Sequence, residues 1–117
     1  MSYVDGYVLA VPAANREAYQ RVAAASARHF KNHGATRVVE TWQDDVPDGK
    51  VTSFPLAVQK KDDEIVVFSW VEWPDKATRV AAMESIMKAM QNDPEMNEMP
   101  FDGMRMIFGS FDVIVEA

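Results

Sequence analysis

EIVVFSWVEWPDKATRVA, residues 64–81, carries a strand, a stop and a helix start in one run. Residues 64–73 are β-branched and aromatic with apolar side chains on both alternating faces, the pattern of a strand covered on both sides. Pro74 and Asp75 stop that strand and open a helix. Val80, Met83, Ile86, Met87 and Met90 recur there at three- and four-residue spacing and form an apolar stripe.

The same grammar occurs earlier. LAVPAANREAY at residues 9–19 rhymes with VEWPDKATRVA at 71–81: an apolar strand, a proline, then a helix. The strand is YVDGYVLAV, residues 3–11, ended by Pro12. Asn15 stands where an N-cap belongs, with Glu17 in the first turn of a helix beginning at Arg16. Tyr19, Val22, Ala23, Ser26 and Phe30 give that helix its packed face, and His33 with Gly34 ends it. TRVVETW, residues 36–42, alternates as a second strand, and MRMIFGSFDVIVE, residues 104–116, reads as the last. Between strands two and three, QDDVPDGKVTSFP at 43–55 is polar and broken by two prolines and an Asp-Gly turn, so an irregular excursion is expected.

The order is therefore βαββαβ. Two interleaved right-handed βαβ units give a ferredoxin-like α+β fold: a four-stranded antiparallel sheet with both helices on one face. One domain spanning residues 1–117 is expected from the length. Neither face of the sheet is polar. In the first strand the small set Val4, Gly6, Val8 and Ala10 is expected under the helices, and the larger set Tyr3, Asp5, Tyr7 and Leu9 on the open face. An open apolar face is an interaction surface, and a closed homodimer is the commonest way to cover it.

Composition narrows the function classes. The formal net charge is −6, and the basic residues are scattered, which argues against nucleic acid as a partner. There is no cysteine, so thiolate catalysis, disulfides and zinc-thiolate sites are excluded. No stretch approaches a membrane helix, and MSYVDGYV lacks the basic and apolar regions of a secretory signal, so a cytoplasmic location is expected.

Four strings together resemble one family: YVDGYVLAVP at 3–12, DDVPDGKVTSF at 44–54, VVFSWVEWP at 66–74 and MPFDGMRMIFGSF at 99–111. The chain is similar, end to end, to the YbaA-like family of uncharacterised bacterial proteins in the dimeric α+β-barrel superfamily. It departs from the family pattern at Met104, where lysine is usual, at Ser110, where glycine is, and at Thr41, often a cysteine. Those departures argue against a required lysine or thiol at these positions. The resemblance implies two sheets pairing into a dimeric α+β barrel. Superfamily relatives include cofactor-free monooxygenases, lactone isomerases, haem degraders and plain binding proteins.

Candidate chemistry rests on a few polar groups among apolar strands. Asp5, Glu40 and Arg105 are the candidate catalytic residues, because a carboxylate in such a setting is almost never left unpaired. Their structural reading is an ion pair of Asp5 or Glu40 with Arg105, or Glu40 simply lying at a wet edge. Tyr7, Trp42 and Trp70 are candidate cavity walls, with His29 at the rim, for a small apolar organic ligand bound between sheet and helices. As an enzyme, the protein would use Asp5 or Glu40 as base and Arg105 or Tyr7 to stabilise an anion, without a cofactor. A non-catalytic regulatory dimer is the rival reading. His29 and His33 stand at i, i+4, but no third ligand accompanies them, and His33 is expected to serve the helix end, so no metal site is assigned. Seven methionines fall between Met83 and Met106 and are read as packing, some of them as an adaptable interface.

Overall fold

The computed structural model describes residues 2–117. Strands β1 (Tyr3–Pro12), β2 (Arg37–Glu40), β3 (Glu64–Trp73) and β4 (Ile107–Asp112) alternate with helices α1 (Arg16–Asn32), α2 (Phe54–Ala57) and α3 (Lys76–Gln91). The sheet order is β2-β3-β1-β4, and every neighbouring pair is antiparallel. This is the interleaved ferredoxin-like order that the repeated strand-proline-helix pattern predicts.

The core lies between the sheet and the pair α1 and α3. Leu9, Val11 and Val67 pack against Tyr19 and Ala23 of α1, while Tyr3, Val71 and Trp73 pack against Phe30, Ala82 and Ile86. The assignment of faces in β1 is thus the reverse of the sequence expectation. Tyr3, Asp5, Tyr7 and Leu9 point under the helices, and Val4, Gly6 and Val8 point to the open side. The period-two alternation holds, but size is a poor guide to direction. Large side chains fill the gap between sheet and helices, whereas the small set leaves room for an aromatic ring. A Cβ on Gly109 would stand 3.2 Å from the Phe111 ring, and one on the facing Gly6 3.7 Å. A glycine inside a strand suggests a bulge or a close backbone approach; here the close approach is made by the Phe111 side chain, and the β1–β4 register runs through Gly109 unbroken.

Residues 43–58 fold back over one end of the open face. Ser53 caps α2 by accepting from the Leu56 amide at 3.1 Å. The Phe54 ring meets Phe68 edge-on at 5.8 Å, and Val58 is buried with Ala10 and Val66. The rest of that face stays uncovered: Phe68 is 44% exposed, Ile107 45% and Phe111 59%.

Several boundaries differ from expectation for identifiable reasons. β2 ends at Glu40 instead of Trp42 because side chains take over the pairing. Thr41 Oγ1 bonds both main-chain groups of Phe68, and Gln43 Oε1 accepts from the Val66 amide at 2.7 Å. The last strand spans six residues, not thirteen. Asp102 caps a tight turn over Gly103–Arg105, which delays its start. At the other end Asp112 faces Tyr3, the first residue of β1, and the Val113 amide makes a last bond to the Ser2 carbonyl at 3.2 Å. Asn15 does not cap α1; its amide donates to the Pro100 carbonyl at 2.9 Å. In α3 the buried positions are Ala82 and Ile86, and Val80 is 58% exposed.

Candidate functional site

A cavity of about 290 Å³ lies between the sheet and the two long helices. Tyr7, Leu9, Val71, Ser69 and Glu40 form its sheet side, and Tyr19, Ala23 and Phe30 of α1 close one flank. Met83, Ile86, Met87 and Met90 of α3 close the other. Its last wall is the segment after α3, which contributes Met96, Phe101 and Met106. That segment is tied to α1 along its length. Besides the Asn15 bond to Pro100, His29 Nε2 meets Asp93 Oδ2 at 2.6 Å, Arg28 pairs with Glu95, and Arg21 with Glu98 at 3.5 Å. The His29 bond holds the Asp93 carboxyl below its ordinary range.

The polar wall of the cavity is built by strand register. Glu40 at the end of β2 faces Ser69 of β3, so both side chains fall on the helix side. Tyr19, buried in α1, donates its hydroxyl to Glu40 Oε2 at 2.6 Å. Burial raises the Glu40 carboxyl above its usual range, opposed by the hydrogen bonds from Tyr19 and Ser69. Glu40 ends an edge strand and is an exposed residue, so solvent reaches its carboxylate. Burial and the neighbouring Glu40 charge raise the Tyr19 phenol as well. Tyr7 is pushed up to about 12, by burial first and then by the Asp5 charge.

A second, outer groove of about 350 Å³ shares Tyr19, Ala23, Val38 and Glu40 with the cavity. Arg16 and Trp42 stand on its far side, the guanidinium 5.4 Å from the indole centroid. Glu40 therefore sits where two adjoining clefts meet, one bordered by Arg16 and Trp42 and the other walled mainly by apolar side chains. A carboxylate whose proton affinity is raised in such a place is suited to accept a hydrogen bond or a proton from a small molecule.

The three candidate catalytic residues are not brought together. Glu40 and Tyr7 face the cavity. Asp5 is 2% exposed beneath the helices, accepting from Trp73 Nε1 at 2.9 Å, from Arg79 Nε at 3.2 Å and from the Ser110 hydroxyl. Arg105 does not meet Asp5 or Glu40. It clasps both oxygens of Glu64 at 2.7 and 2.6 Å, and also bonds Asp102 and the Gln59 carbonyl. Trp42 packs on Tyr19 at the groove, but Trp70 points to the opposite face, beside Phe68, and is no wall of this cavity. His29 stands outside the cavity, holding the segment that closes it, while His33 Nδ1 donates to the His29 carbonyl at 2.8 Å, as expected of a residue at a helix end. Sequence reasoning missed Tyr19 and Ser69 as functional neighbours of Glu40. The signal was available, because Glu40 and Ser69 share a face once β2 and β3 are paired in register.

Two helices crossing one face of an interleaved antiparallel sheet, with a largely apolar cleft between the layers, define a ferredoxin-like α+β protein. Residues 2–103 match the family described as "Protein of unknown function (DUF1428)", and the chain belongs to that family. It is 52% identical over 120 residues to the Escherichia coli K12 protein named "Uncharacterized protein YbaA", covering 99% of both chains. A Shigella flexneri protein of the same name matches equally, at 52% identity. Among solved structures the chain resembles a point mutant of SnoaB, a cofactor-independent oxygenase from Streptomyces nogalater. The TM-score is 0.57 at 16% identity, over 98% of this chain and 95% of that one, a likeness of fold.

Proposed function

We propose that this protein is a homodimer that binds a small, largely apolar organic molecule in the chamber between the sheet and helices α1 and α3. The observation that carries the reading is the chamber itself: about 290 Å³ of space, walled by aliphatic, aromatic and methionine side chains, with polar groups converging at Glu40. Methionine suits such a wall, because its unbranched thioether adapts to the shape of a guest. The uncovered strip of Phe68, Ile107 and Phe111 supports pairing of two sheets face to face.

A second reading is a cofactor-independent enzyme acting on the bound molecule. The Glu40–Tyr19 pair favours it, as does the likeness of fold to an oxygenase that needs no cofactor. In that reading Glu40 is the base, and Tyr7, also in the chamber wall, is the group that would donate to a developing anion. Asp5 and Arg105 keep structural roles, since other side chains already occupy them.

Native mass spectrometry of the protein purified gently from its own host tests the proposal. Twice the chain mass with an additional small organic mass per subunit is expected. A bare monomer contradicts both parts, and a bare dimer that takes up no small apolar compound contradicts the ligand reading.

A further inference from the structure

Resting on the chamber as a ligand site, we infer that it selects against anions: its ligand carries no negative charge and has a hydrogen-bond-donating end that meets the Glu40 carboxylate. Four observations carry this. Among the described residues, no arginine, lysine or histidine lines the chamber. The one carboxyl among those lining residues is Glu40, and a carboxylate has about four acceptor sites, of which the Tyr19 hydroxyl takes one. The cation behind Tyr7 is Arg79, already engaged by the buried Asp5. Arg16 stands in the outer groove over Trp42, beyond the Glu40–Tyr19 wall.

The local field points the same way. The Asp5 charge opposes ionisation of Tyr7 in the chamber wall and outweighs Arg79, which favours it, and Glu40 adds to the opposition. A carboxylate or phosphate entering would lose its hydration, gain no cationic partner and face a like charge. An alcohol of the same shape gives up one hydrogen bond to water and regains it at Glu40. Beside Glu40, acceptor-only groups therefore fare poorly and donors fare well.

A pair of probes of one carbon skeleton separates the cases: 2-naphthylmethanol and 2-naphthoate, titrated at pH 8 against the full chain and followed by naphthalene fluorescence. The alcohol is expected to bind at least ~30-fold more tightly than the acid, a modest share of a like-charge contact at close range. In Glu40→Gln that ratio should contract by about tenfold, mainly through better binding of the acid. Equal binding of both probes to the unaltered protein overturns the charge selection while leaving the chamber as a ligand site. A ratio that persists unchanged in folded Glu40→Gln overturns the role of Glu40. Binding of neither probe removes the chamber reading and this inference with it.

Discussion

Asp5→Asn lowers the stability of this protein by about 3 kcal/mol, the loss typical of breaking one partner out of a buried ion pair. The substitution is nearly isosteric, so no cavity forms and packing is not at issue. What changes is the match of charge and donors. The carboxylate accepts from Trp73, Arg79 and Ser110, and its side chain is 3% exposed. An asparagine presents one carbonyl oxygen and an NH₂ group to three donors, and leaves the partly buried Arg79 without its counter-ion. The melting temperature should fall by more than about 10 °C, given the entropy of unfolding of a domain this size. The double variant Asp5→Leu with Arg79→Met should recover at most part of that loss, because the buried Trp73 indole N–H is left without an acceptor. Asp5→Asn melting within about 2 °C of the unaltered protein contradicts the structural role of Asp5.

Glu64→Gln has the second largest effect, and its signature is pH dependence. Glu64 is buried at the start of β3, and Arg105 grips both its oxygens while the Lys61 amide donates to it at 2.7 Å. The Arg105 hydrogen bonds bring its carboxyl from the ordinary 4.5 to about 2. The folded protein therefore binds fewer protons at this site than the unfolded chain. The stabilisation stands in full above the unfolded pKa and is lost as pH falls from 4.5 towards about 2. Near neutral pH the glutamine variant should melt on the order of 5 °C lower, a figure discounted for solvent reaching Arg105. Urea unfolding between pH 6 and 2 should then show a smaller decline for the variant than for the unaltered protein. Parallel curves contradict the clasp.

These two carboxylates show where sequence reading succeeds and where it stops. The interleaved fold was legible because local patterns repeat: an apolar strand runs into Pro12 or Pro74, and a helix of similar length follows each. Burial of the Asp5 carboxylate was foreseeable from its place within an apolar strand. Its partner was not, because Arg79 lies on a helix 74 residues away and only the register of β1 against β3 brings Trp73 close. Arg105 was expected to pair with Asp5 or Glu40 and instead clasps Glu64, which looked like the polar first residue of a strand. The direction of β1's faces depended on helix-to-sheet spacing, which alternation does not encode. Trp70 went to the wrong face for the same reason. Of the site, Glu40 and Tyr7 were legible as polar groups on apolar strands, whereas Tyr19, Ser69 and the methionine wall needed the three-dimensional arrangement.

The central claim is that the chamber between sheet and helices receives a small apolar molecule, and the methionines report on it directly. In protein labelled with ¹³C at the methionine methyl groups, titration with naphthalene should shift Met83, Met87, Met90, Met96 and Met106, which line the chamber. Met99 and Met104, 67% and 93% exposed outside it, should hold still. Saturable shifts confined to the first group are the predicted result; shifts of the exposed pair alone, or none at all, contradict the account.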